Sequence, residues 1–155
     1  MQFKTFNDSK TTLAQICLPH QANSSGNIHG GEMMKMMDSA AGVAAMKYAG
    51  TNVVTARVDE LCFKLPVHIG ELVTCRANVV YAGKSSMETF VTVEAENPQQ
   101  GTRKIALTAF FTMVALDKNS VPCLVPPMKE PENFFERKLY EEGKERYLKY
   151  KKRKK

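Results

Sequence analysis

Residues 32–49 read EMMKMMDSAAGVAAMKYA, and the fold turns on this stretch. Its residues are strong helix formers, Glu32 stands in the first turn where it complements the helix dipole, and Gly50 is placed to stop the helix. At 1.5 Å per residue the segment predicts a rod of roughly 25 Å. A surface helix has one polar face, whereas Met33, Met34, Met36, Met37, Ala40, Ala41, Val43, Ala44, Ala45 and Met46 leave little of this circumference polar. The helix is therefore expected to be buried. Its small middle, Ala40 to Ala45, lets another backbone approach closely.

Outward from the helix the pattern changes to strands. LAQICL (13–18) is an apolar run too short for a helix and bounded by Pro19, which reads as a first strand. Four strand-like stretches follow at about 53–63, 71–81, 87–96 and 104–116, rich in Val, Thr, Phe and Tyr. Gly83, Lys84 and Ser85 supply a tight turn, and NPQQGT a longer one, and links this short imply antiparallel pairing. The expected architecture is α+β, an antiparallel sheet of about five strands against one long central helix. One sheet cannot enclose an all-apolar helix, so a second copy must supply the missing cover, which predicts a homodimer.

Residues 1–118 form this unit. Residues 119–132, with Pro122, Pro126, Pro127 and Pro131, read as an extended arm, and 133–155 as a charged C-terminal helix and basic tail capped by Asn133. Phe134, Phe135, Lys138, Leu139 and Glu142 mark a narrow stripe on that helix, continued by Tyr147, Leu148 and Tyr150.

The 155 residues, 43% hydrophobic and 25% charged, suit a single globular domain. No apolar run reaches the ~18 residues needed to span a bilayer, and MQFKTFNDSK lacks the order of a signal peptide, so a cytoplasmic protein is expected. Cys17, Cys62, Cys75 and Cys123 form no C-x-x-C pair, which argues against a zinc knuckle or disulfide framework; no metal and no cofactor are expected. The net charge of +6 is local, because Arg137–Lys155 holds ten basic residues against three acidic ones and the remainder is nearly neutral. A neutral body argues against a broad phosphate-tracking surface and makes a nucleic-acid partner a weak expectation.

The segment HQANSSGNIHGG ahead of the helix is a long polar loop of the kind that carries function. Asp38 is a carboxylate among methionines and alanines, and it must be partnered or face a cleft, whether as a structural or a reactive group. Gly30 and Gly31 stand directly before the helix, where they either make a tight turn or let a developing oxyanion approach free backbone N–H groups. Asn23 in the loop and Thr55 in the next strand are ordinary residues taken singly. Their order is specific: Asn-x-x-Gly-x-x-His-Gly-Gly, a helix bearing Asp38, then a strand bearing Thr55.

That order, with TARVDELCF and GKSSMETFVTV downstream, resembles the hotdog-fold acyl-coenzyme A thioesterases, in the branch of brain-type cytosolic acyl-CoA hydrolase and its bacterial single-domain relatives. The resemblance runs from about Leu13 to Leu116 and extends to the charged tail. It implies a sheet wrapped round a central helix, a homodimer, and in this branch often a homohexamer built as a trimer of dimers. It also implies hydrolysis of fatty acyl-CoA, with CoA as product rather than cofactor. The implied catalytic residues are Asp38 as general base or nucleophile, Asn23 from the opposite protomer to orient water or acyl group, and Thr55 to hold the carboxylate. Gly30 and Gly31 amides would stabilise the oxyanion. For the coenzyme it suggests the strand at Val58 and Asp59, the turn at Gly83, Lys84, Ser85 and Ser86, and Arg146 or Lys149 reaching a phosphate of a neighbouring protomer's ligand. Met33, Met34 and Met37 are core residues of which one or two line the acyl pocket.

Hotdog domains also include dehydratases and acyl-CoA sensors. A dehydratase needs a His paired with an acid, for which His29 is the candidate here. The competing reading from another class is a non-catalytic acyl-CoA or RNA-binding module using the basic tail, recognisable by steeply salt-dependent binding.

Overall fold

A computed structural model describes residues 1–153. The chain forms strand β1 (Thr11–Ile16), helix α1 (Gly30–Ala49), strands β2 (Asn52–Phe63), β3 (Leu72–Ala82), β4 (Ser86–Asn97) and β5 (Thr102–Leu116), and helix α2 (Phe134–Arg153). The five strands make one sheet in the order β1-β3-β4-β5-β2 with every neighbour antiparallel. This is the α+β hotdog architecture expected from the sequence.

Helix α1 starts two residues earlier than expected, so Gly30 and Gly31 are its first two residues rather than its approach. It ends as expected, with Gly50 in the left-handed region (φ 71°) and its amide bonded to the Met46 carbonyl. Positions 33, 37, 40, 41, 44 and 48 share the face that lies against the sheet, and Met37, Ala40, Ala41, Ala44 and Tyr48 are wholly inaccessible. They meet Val73, Ala77, Val79, Val91, Phe111 and Ala115, and the core lies between helix and sheet. Among the described residues nothing lies over the part of the opposite face of α1 that carries Asp38, Ser39 and Met46. Asp38, Ser39 and Met46 are exposed there beside exposed Val54 of β2, an edge strand.

The far side of the sheet is covered by α2, which packs on β3 and β4. Asn133 caps it as expected, accepting the amides of Phe135 (2.9 Å) and Glu136 (3.2 Å) on its side-chain oxygen. Of the stripe expected to face the sheet, Leu139, Tyr147 and Tyr150 do so, and Phe134, Phe135 and Leu148 do not. Phe134 and Phe135 are each 75% exposed, and Leu139, Tyr140, Gly143 and Tyr147 make the contact. Gly143 favours this face, because a Cβ there would stand 3.0 Å from Tyr81 and Val80, which would have to give by a few tenths of an ångström to admit it. Ring contacts of Tyr81 with Tyr140 (5.4 Å) and Tyr147 (5.3 Å) complete the seam. The proline-containing connection before α2 runs back to the N-terminus, where Lys4 exchanges backbone bonds with Pro127 and Lys129. All four cysteines are free, two of them buried.

Candidate active site

The open face of α1 and the start of β2 enclose a groove lined by Asp38, Ser39, Gly42, Val43, Met46, Val54, Thr55 and Met113. Two of the residues singled out from the sequence meet in it. The Thr55 hydroxyl donates to Asp38 Oδ1 at 2.5 Å and also lies 3.5 Å from the Met113 sulfur. Thr55 reaches the helix because of a bulge: Thr55 pairs with Met113 and Arg57 with Thr112, so Ala56 is an extra residue in β2. In regular β-structure residues 55 and 57 share a face; the bulge sends Thr55 toward α1 and Arg57 toward α2.

Asn23 lies elsewhere in the chain. Its side-chain oxygen accepts the amides of Ser25 (3.0 Å) and Asn27 (3.2 Å), while its backbone carbonyl accepts Gly26, whose φ of 84° closes the turn. This rigid turn fixes the direction of the Asn23 carboxamide nitrogen. Within one chain Asn23 makes no bond to Asp38 or Thr55 among the described residues.

Among the described residues the amides of Gly30 and Gly31 find no partner, the first helical bonds being those of Glu32 and Met33 to the His29 carbonyl. Gly31 has open space where a Cβ would stand, whereas Gly30 is covered by the Phe63 ring, which a Cβ would meet at 2.8 Å. A Cβ at 30 would therefore have to displace the half-exposed Phe63 ring. Phe63 gave no signal in the sequence beyond strand composition. Of the three methionines expected at the acyl pocket, Met33 and Met37 are buried against the sheet and Met34 is partly exposed.

The expected coenzyme residues separate into two groups. Lys84, Ser85 and Ser86 line a cavity of about 380 Å³ with Ala56, Arg57, Glu88, Thr112, Val114, Tyr147, Tyr150 and Lys151. Gly83 stands at its edge for a packing reason, because a Cβ there would overlap the Tyr147 ring; the Tyr147 hydroxyl accepts the Lys84 amide at 3.4 Å. Val58 and Asp59 are not in this lining. Val58 packs against the core, and the Asp59 carboxylate is occupied by Arg146 (2.9 Å) and the Tyr150 hydroxyl (2.5 Å). Burial alone would raise the Asp59 carboxyl, but Tyr150 and Arg146 outweigh it and hold it below the usual range. Arg146 also pairs with Glu60 and lies 4.1 Å from the Phe110 ring. It therefore fastens α2 to β2, whereas the sequence offered Arg146 or Lys149 for a phosphate of a neighbouring protomer's ligand.

Glu88 is a buried carboxyl that the sequence did not single out. It is 2% exposed, accepts the Thr112 hydroxyl at 3.0 Å and faces Arg57 Nη2 at 3.9 Å. Burial pushes it up to about 7 against the pull of Thr112 and Arg57. Its place opposite Thr112 in the β4–β5 ladder, under a helix that begins after a proline-rich arm, is a tertiary property with no local signature. Among the described residues no cluster of three or more metal-binding side chains occurs, and no helix is long and apolar enough to cross a membrane.

The Thr55–Asp38 pair thus stands at the open side of the central helix. The thioesterase superfamily profile matches residues 25–102. The chain belongs to the thioesterase superfamily. This thioesterase-family chain is 36% identical over 149 residues to the cytosolic acyl coenzyme A thioester hydrolase of Rattus norvegicus, covering 95% of the chain but 39% of the rat protein. It spans about two fifths of the length of the mammalian relatives it matches. An acyl-CoA hydrolase of Staphylococcus aureus, solved with butyryl coenzyme A, coenzyme A and coenzyme A disulfide, superposes with a TM-score of 0.90 at 32% identity, covering 99% of this chain and 93% of that one. Structures of that hydrolase also exist with alanine replacing one asparagine, one aspartate and one threonine, at the spacing of Asn23, Asp38 and Thr55. A hexameric acyl-CoA thioesterase in its apo form superposes with a TM-score of 0.92 at 34% identity, covering 99% of this chain and 97% of that one.

Proposed function

We propose that this chain hydrolyses fatty acyl-CoA to free fatty acid and CoA at a site shared between two protomers, with Asp38 as the central group. The observation that carries the reading is the Thr55–Asp38 bond in an open groove on the helix face that one chain leaves uncovered. A carboxylate held in place by a hydroxyl is suited to take a proton from water or to attack a thioester carbonyl; both roles use the same geometry. The Thr55 bond takes one carboxylate oxygen and leaves the other for chemistry.

A thioester needs little help at its leaving group, because a thiolate departs without prior protonation. It does need its carbonyl oxygen stabilised as charge develops there. The free amide of Gly31 at the positive end of α1, with that of Gly30 beneath Phe63, supplies donors for this. Asn23 comes from the partner across the exposed faces of α1 and β2, where its carboxamide nitrogen steadies the acyl carbonyl or the water. The dimer covers the exposed Met46 and Val54, and dimers assemble further into a hexamer. The cavity beside Lys84 takes the phosphates of CoA, and neither metal nor cofactor takes part. The same three residue types at the same spacing in the staphylococcal hydrolase support these assignments.

The test is release of free thiol from short-, medium- and long-chain acyl-CoAs by the wild type and Asp38→Asn. The reading expects turnover by the wild type and its loss, by about a thousand-fold or more, in a variant that still assembles. Turnover near the wild-type rate in Asp38→Asn would remove Asp38 from the mechanism, and no turnover of any acyl-CoA by the wild type would overturn the enzymatic reading.

A further inference from the structure

The bulge that aims Thr55 at Asp38 is held from the other side of the sheet, and we infer that Arg57 is a positioning residue for the Thr55–Asp38 pair, acting through the bulge at Ala56. This inference rests on the proposed role of Asp38. Arg57 is the first residue after the bulge, and its side chain is fixed at several points. Its Nη2 donates to the Thr112 hydroxyl at 3.1 Å, Thr112 in turn donates to Glu88 at 3.0 Å, and the guanidinium lies against the Tyr150 ring of α2 at 3.0 Å from the ring centre. Thr112 is the ladder partner of Arg57 and the chain neighbour of Met113, which in turn is the partner of Thr55. Two consecutive rungs of β2–β5 thus point to opposite faces, one bearing the site and the other bearing the clamp.

An extra residue lets the strand segments on its two sides take more than one relative direction, and side chains anchored next to it fix which one is adopted. Thr55 precedes the extra residue Ala56 and Arg57 follows it, so loosening Arg57 frees the backbone dihedral angles of Ala56 and re-aims Thr55 relative to α1. The planar guanidinium suits this clamping role, since it gives a directed bond to Thr112 and a flat face to Tyr150, which an ammonium does not. The clamp also ties the site to α2, because Tyr150 bonds Asp59 of β2 on the same face.

Arg57 also lines the cavity assigned to CoA phosphates, so the two roles must be separated by kinetics. The experiment measures kcat and KM for a hydrolysed acyl-CoA with wild type, Arg57→Met, Thr112→Val, Thr112→Ser, Thr55→Ala and the pair Arg57→Met/Thr55→Ala, each first checked for assembly state and melting temperature. Misplacement of a reacting group by a fraction of an ångström predicts that Arg57→Met and Thr112→Val lose about ten-fold or more in kcat, with KM changed by less than about three-fold. Thr112→Ser keeps the hydroxyl and should recover most of what Thr112→Val loses. With Thr55 already removed, Arg57→Met should cost less than about two-fold further, because it then has nothing left to position.

A raised KM with kcat retained would make Arg57 a ligand contact and overturn the inference. Full multiplication of the two losses in the double variant would do the same. If Arg57→Met does not assemble, Thr112→Val against Thr112→Ser decides the question, and equal kcat in those two refutes the clamp. Failure of the underlying reading is seen separately, as Asp38→Asn turning over like the wild type.

Discussion

Glu88→Gln tests the energetics of the sheet's outer face. Glu88 is 2% exposed beneath α2, with Thr112 bonded to it, Arg57 3.9 Å away, and Arg146 and Asp59 acting on it at longer range. Burial is the largest effect and moves the carboxyl from its ordinary 4.5 up to about 7. The folded chain therefore holds this proton more tightly than the unfolded chain does. Between these values the native state binds more protons, so stability falls as pH rises, fully retained below about 4.5 and fully lost above about 7. At 1.36 kcal/mol per pH unit the whole effect is ~3 kcal/mol at most, and about 1–3 kcal/mol once the partial opening of the cavity to water is allowed for. Glutamine keeps the shape and an acceptor for Thr112 but cannot ionise. At pH 8 Glu88→Gln should exceed the wild type in stability by that amount, and the two should converge below about pH 4.5. Thermal or denaturant unfolding across about pH 4–8 at fixed protomer concentration measures this, since assembly makes the midpoint concentration-dependent. A wild type and variant with parallel pH profiles would refute the assignment of a proton to buried Glu88.

Gly83→Ala and Gly143→Ala test the close docking of α2. A Cβ at 83 overlaps the Tyr147 ring and one at 143 stands 3.0 Å from Tyr81 and Val80, so each should destabilise by about 1–3 kcal/mol, with faster amide exchange in α2 than in α1. Unchanged exchange in α2 would show that the contact yields without cost. Removal of Lys151–Lys155 should leave RNA binding absent, as measured by fluorescence anisotropy at two salt concentrations; salt-dependent binding lost on truncation would favour a nucleic-acid role.

The architecture was legible because its signals are local and periodic. The all-apolar helix, its stop at Gly50 and the short links that make neighbours antiparallel are written within segments of twenty residues or fewer. Asp38 and Thr55 were legible as a pair because one helix and one strand that follow each other in the chain present them. Asn23 lies apart from them within the described chain, held in its own turn by Ser25, Gly26 and Asn27. What escaped was set by contacts between distant segments. Glu88, Arg57 and Thr112 look like ordinary strand residues until α2 lies over them. On α2 the stripe holds at Leu139, Tyr147 and Tyr150 and fails at Phe134 and Phe135, which hydrophobicity alone favours, while the close approach at Gly143 depends on a side chain being absent. Arg146 read as a free cation because its partners Asp59 and Glu60 lie far away in sequence.

The shared site is the central claim, and subunit mixing tests it most directly. Asp38→Asn and Asn23→Ala chains are unfolded together, refolded in equal amounts and assayed for thiol release from an acyl-CoA, beside each variant treated alone. If Asp38 and Asn23 of opposite protomers build one site, random pairing gives about a quarter of the sites both native residues, and the mixture should recover about a quarter of wild-type activity above either parent. Activity equal to the mean of the two parents would mean that each site draws both residues from one chain, and would contradict the account.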